Sequence, residues 1–185
     1  MNVKHWLVAL AAAAGLAVAA IGIAAADSGK HRDRGDLADV VAATTRFHDI
    51  GVANNEGYAV LKDTAGIACI EMTGMPSMGA MGIHFVKGAL VGDGAINALT
   101  PEAVIYEPRS NGRLRLVAVE YVVFQSDWDA NHASPPSLFG QQFNLTPSPN
   151  RFGLPAFYSL HAWIYRHNPS GTFSMWNPRV SCAKA

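Results

Sequence analysis

The chain has 185 residues, half of them hydrophobic, with 14 Lys+Arg balancing 14 Asp+Glu. That length suits one domain of ordinary size. A balanced charge excludes the basic footprint that nucleic-acid binding needs, and with it an electrostatic hold on a membrane surface.

The first residues differ from the rest. Lys4 and His5 precede an uncharged apolar run, Leu7 to Ile23, which ends in Ala24-Ala25-Ala26 before Asp27. A charged start, an apolar middle and a small-x-small site define a secretory signal peptide, predicted over residues 1–26. The rival is an uncleaved anchor, because the run is near the lower length of a membrane span. The cleavage site followed by a charged loop favours the signal peptide, so no stable membrane insertion is expected after cleavage. Removing the leader takes away Lys4 and no acid, which leaves 13 Lys+Arg against 14 Asp+Glu. The mature protein is expected to be secreted or periplasmic. Cys69 and Cys182 both lie beyond the leader. In an oxidising compartment two cysteines pair as one disulfide, and no CxxC spacing supports a zinc site instead.

Residues 27–35 are polar and charged and read as a flexible leader, ahead of a single domain over 36–185. From Asp36, a plausible N-cap, apolar side chains recur at three- and four-residue steps through Leu37, Val40, Val41, Thr44, Phe47 and Val52. The spacing predicts one amphipathic helix from Leu37 to Asn54, with His48 packed or half-exposed at the edge of its apolar stripe. Short strands are predicted at 58–61 and 67–71 around an Asp63–Gly66 turn. Met75, Met78 and Met81 fall in a glycine-rich loop. Thioether sulfur is a soft ligand for copper, but irregular spacing favours gap-filling methionines.

A strand follows at 81–87. Segments 102–107 and 113–125 flank Ser110-Asn111-Gly112, a hairpin signal suited to a type I′ turn. Their antiparallel pairing is the best-marked long-range contact in the chain. Segment 126–155 is irregular and rich in proline, with a long loop or lid from Asn144 to Pro155. Phe157 to Arg166 alternates, placing Phe157, Ser159, His161 and Trp163 on one side. A turn at Asn168–Gly171 and a returning strand at 172–176 complete the chain. The architecture predicted is α+β: one N-terminal helix packed on a curved, mostly antiparallel β-sheet or barrel.

Three strands each carry one polar group among apolar neighbours: His84, Glu120 and His161. Segment 113–125 is apolar on both faces, which marks a central strand covered on both sides. A carboxylate there needs a counter-charge, a hydrogen bond or a metal. Two imidazoles and a carboxylate are a common ligand set for a divalent transition metal, Fe, Mn, Cu or Zn. The alternative is a buried polar network without a metal. Tyr106, Tyr121 and Trp163 are candidate walls of a ligand pocket around the three. Glu107, beside Pro108, reads as solvated or paired with an arginine, and His132 and His167 as exposed. No GxGxxG, GxSxG or P-loop occurs, and no serine sits in a nucleophile elbow.

The pieces AATTRFHDIGVANNEGY, MGAMGIHF, PEAVIYEP, RLRLVAVEYVVF, LFGQQF and LHAWIYRHNPSGTFSMWNPRVSC span nearly the whole mature chain. In their order the chain resembles a family of secreted bacterial proteins of uncharacterised function. The resemblance implies export and a single domain, and carries over no catalytic residues.

The sequence therefore points to an exported envelope protein that binds a small molecule or a metal ion in a pocket lined by His84, Glu120 and His161. Two alternatives stand beside it: a metal-dependent enzyme, oxygenase or hydrolase, using those residues as ligands, and a non-catalytic structural or interaction protein.

Overall fold

The computed structural model describes residues 37–185. The predicted signal peptide and the whole of the predicted leader lie outside the described residues. Residues 37–44 form helix α1, a 3₁₀ turn follows at Thr45–His48, and α2 spans Ile50–Asn55. The single continuous helix expected here is broken. The Thr44 hydroxyl bonds back to the Val40 carbonyl at 2.6 Å, a contact that bends helices. Asp49 then leaves helical geometry and caps α2, accepting from the Gly51 N–H at 2.8 Å. Among the described residues the helical segment lies ahead of the sheet, and it is not at the chain's N-terminus. His48 is exposed, with its ring edge against Tyr165.

The strands are β1 (Ala59–Val60), β2 (Cys69–Glu71), β3 (Ala80–Val86), β4 (Ala103–Pro108), β5 (Leu114–Phe124), β6 (Ser137–Leu138), β7 (Gln141–Gln142), β8 (Asn144–Thr146) and β9 (Phe157–Ala162). Seven of them form one sheet, ordered β1-β3-β4-β5-β9-β8, with β2 also pairing with β3. All its pairings are antiparallel. The sheet is open, not a barrel. Its edge strands β1 and β8 are two and three residues long and pair with β3 and β9 alone.

The β4–β5 hairpin forms where expected, but its turn is not type I′. That turn needs positive φ at both central residues, and among the described residues Phe139 is the only non-glycine with positive φ. Gly112 (φ 73°) alone takes the left-handed position, and its N–H returns to the Arg109 carbonyl at 2.9 Å.

β5 is buried from Leu116 to Val123, as its two apolar faces require. A bulge changes which residues share a face. Ile105 pairs with Ala118 and Tyr106 with Leu116, so Val117 is the extra residue. Leu116 turns to the face of Val119 and Tyr121, while Val117 and Ala118 pack together on the other. Strict alternation from Glu120 back to Leu114 fails there.

The helical segment covers the face of Ile83, Val104, Tyr106, Tyr121 and Leu160 with Val40, Phe47 and Ala53. Tyr58, Tyr106 and Tyr121 satisfy their buried hydroxyls on the carbonyls of Pro101, Phe47 and Ala98, each at 2.7 Å. Phe139 and Phe143, carried by the β6–β7 ribbon, close this core.

The chain after β9 covers part of the opposite face. The strand expected at 172–176 does not form. The Trp163 N–H reaches the Thr172 carbonyl at 2.9 Å, but Trp163 Nε1 takes the Ser174 carbonyl at 2.6 Å and Asn168 Nδ2 takes the Trp176 carbonyl at 2.9 Å. Side chains thus occupy acceptors that a ladder would use. Asn177 bridges to Ala80, and Val180 is buried against Ile105 and Trp163. Glu107 pairs with Arg115 and accepts from the Ser181 N–H at 3.3 Å. The Cys69–Cys182 disulfide fastens the end of the chain, closing a span of 113 residues.

Candidate metal centre

His84 on β3, Glu120 on β5 and His161 on β9 meet on the sheet face opposite α1 and α2. The register explains why. Glu120 pairs directly with His161, and His84 lies one strand beyond β4, paired with Ile105. The β4 residue opposite Glu120 is Ala103, whose methyl group leaves room beside the carboxylate, and His84 reaches Glu120 diagonally across β4. His84 Nε2 lies 3.4 Å from Glu120 Oε2, His161 Nδ1 lies 3.3 Å from Glu120 Oε1, and the two Nε2 atoms lie 3.5 Å apart.

All three side chains are buried, with exposures of 4 % for His84, 7 % for Glu120 and 2 % for His161. Burial holds both imidazoles well below their usual range, His84 against the opposing pull of the Glu120 charge. Both rings are therefore neutral at pH 7, the form that ligates metals. Burial pushes Glu120 upward, partly offset by His84 and by a hydrogen bond from Ser159. Among the described residues no group lies within hydrogen-bond geometry of His84 Nδ1.

With one donor atom from each residue, the three lie within 4.8 Å of one another. Metal–ligand bonds of about 2.0–2.2 Å separate tetrahedral ligands by roughly 3.4 Å, so the residues suit a small divalent ion after a slight inward movement. Three protein ligands also leave a coordination position for water or another molecule.

A cavity of about 600 Å³ opens over this group. Its walls include Ile70, Val91, Val122, Phe124, Phe157 and Trp176. Of the loop or lid expected over Asn144–Pro155, the first three residues form β8 instead, and the remaining loop, 147–155, lines the cavity through Asn150, Arg151, Phe152 and Leu154. That loop is latched to the Asp63–Gly66 turn: Arg151 Nη2 donates to Asp63 Oδ2 at 2.7 Å, and the Thr64 N–H donates to the Arg151 carbonyl at 3.0 Å.

The expected pocket residues divide differently. Tyr106 and Tyr121 are on the opposite face, in the core under the helices, and do not line the cavity. Their strand parity relative to Ile105 and Glu120 sends them there. Trp163 is on the correct face but behind the site, its ring stacked on His161 with centroids 5.9 Å apart. Ser159, two positions before His161 and so on the same face of β9, bonds to Glu120 and lines the cavity; alternation places it there, but a lone serine in a strand carries no site signal. Met81 and Met175 line the cavity, whereas Met75 and Met78 are exposed. His132 and His167 are exposed, as expected.

The chain matches no protein-family model, no curated protein and no solved structure. Among the described residues no helix is long and apolar enough to cross a membrane.

Proposed function

We propose that this is an exported protein that binds one divalent transition-metal ion, Fe, Mn, Cu or Zn, through His84, Glu120 and His161. The observation that carries this reading is the convergence of two neutral imidazoles and a carboxylate from three separate strands, all buried. An ionised carboxylate buried beside neutral rings has no counter-charge, which is why burial pushes Glu120 upward. A cation supplies the charge, and each residue supplies the donor that such ions take. The Cys69–Cys182 disulfide supports an oxidising compartment, in keeping with the leader sequence.

The cavity beside the open coordination position favours a second reading of the same centre, as a metal-dependent oxygenase or hydrolase. A purely structural role for the three residues makes the opposite prediction: His84→Ala then lowers stability and changes no binding.

The test is metal content by mass spectrometry on mature protein purified without chelator or histidine tag. Near one ion per chain is expected, lost in Glu120→Gln and His161→Ala while circular dichroism stays native. A folded wild-type protein that neither carries an ion nor takes one up on dialysis against Zn²⁺, Mn²⁺, Fe²⁺ or Cu²⁺ overturns the reading.

A further inference from the structure

The polar groups of the cavity are unevenly placed. At the rim, Asn150 spends its amide inside its own loop. Nδ2 donates to the carbonyls of Pro147 and Leu154 at 3.2 and 2.9 Å, and Oδ1 accepts from the N–H groups of Phe152 and Leu154 at 3.1 and 3.3 Å. Arg151 is engaged by Asp63. The walls between rim and floor carry Val91, Val122, Phe124, Phe152, Phe157 and Trp176. On the floor His84, Glu120, Ser159 and His161 stand together. The space is therefore apolar, with a polar cluster at one place on the sheet.

We propose that the cavity takes an amphiphile: one apolar alkyl or aryl body lying along these walls, and one carboxylate head that completes the coordination of the ion. This rests on the metal-binding reading above. The volume, about 600 Å³, is within the range of cavities that enclose a drug-sized ligand. A polyhydroxylated ligand would leave hydroxyls unpaired against the walls, at a cost for each. A headless hydrocarbon would leave the coordination position to water. A carboxylate oxygen is a donor that all the candidate ions accept. Without the ion, the same head would face the Glu120 carboxylate, so binding of head and ion are coupled.

The test is calorimetric titration of the Zn²⁺-loaded protein with hexanoate, octanoate, decanoate and 1-decanol. Each added methylene buried against the walls should tighten Kd about fourfold. Decanoate should bind about tenfold or more tightly than 1-decanol, and about tenfold or more weakly once the ion is removed, a difference of at least 1.4 kcal/mol. Phe152→Asp, which charges the wall, and Val91→Trp, which fills it, should each abolish decanoate binding while metal content stays at the wild-type value. Having both variants guards against one failing to fold. A protein that holds its ion but binds no decanoate, or binds hexanoate as tightly as decanoate, overturns the inference and leaves the metal reading standing. A protein that takes up no Zn²⁺ yet still binds decanoate overturns the metal reading, and the head-group assignment falls with it.

Discussion

Glu102 and Glu120 are both buried carboxylates, held in different ways. Glu102, just ahead of β4, accepts from the Val122 N–H at 3.0 Å through Oε2. Burial pushes its carboxyl from the ordinary 4.5 up to about 8, with the charges of Asp93 and Glu120 adding to the rise and the Val122 N–H opposing it. The folded protein thus keeps a proton that the unfolded chain releases. Glu102 favours folding fully below pH 4.5, and that contribution is lost as pH rises towards about 8. Glu102→Gln keeps an acceptor for Val122 but cannot ionise. In metal-free protein, the urea midpoint of the variant should rise relative to wild type between pH 5 and pH 8. Parallel midpoints across that window would show that Glu102 does not titrate in it.

Strand β3 is where the sheet, the metal centre and the C-terminal segment meet. Its entry depends on Gly79, with φ 71° and ψ −140°, a region other residues rarely enter. A Cβ there would lie 2.1 Å from the Asn177 carbonyl oxygen. Gly79→Ala should therefore cost about 1–3 kcal/mol by backbone strain alone, with displacement of the Asn177 bridge added to it. Chemical denaturation reads the loss, and a change below about 0.5 kcal/mol would mean that the segment moves aside freely. Ala103 has a comparable role on β4. It is the small cross-strand neighbour of Glu120, so Ala103→Leu should cut metal uptake by placing a branched side chain beside the carboxylate. Metal content equal to wild type would rule that out.

The molecule as a whole is a sheet used on two faces. One face is sealed by α1, α2 and the β6–β7 ribbon, with Ile164, Tyr165 and Phe173 packed against the same core; the other holds the metal centre, the cavity, Trp163 and Val180. The disulfide closes a span of 113 residues, and removing a native bridge typically costs about 2–5 kcal/mol, largely through the unfolded chain. Cys69→Ser/Cys182→Ser should lower the urea midpoint accordingly. Metal content of the folded double variant should remain at the wild-type value, because β3, β5 and β9 are joined through their own ladder. An unchanged midpoint would show that the tail is held by Val180, Asn177 and Glu107 without the bridge.

The sequence by itself determined the local choices whose causes are local. Alternation marked β9, the double apolar run marked β5 as central, and the glycine-containing link after Pro108 set the β4–β5 hairpin. The isolated polar groups His84, Glu120 and His161 were legible because a charged or imidazole side chain among branched apolar residues needs a partner. The tertiary structure decided what depends on register and on distant neighbours. A bulge at Val117 changed which β5 residues share a face, and strand parity put Tyr106 and Tyr121 under the helices instead of in the pocket. The returning strand was lost to side chains that claimed its carbonyls. The cavity is lined in part by the 147–155 loop, held to Asp63 by a contact between residues 88 positions apart that no pattern within a short window of sequence contains.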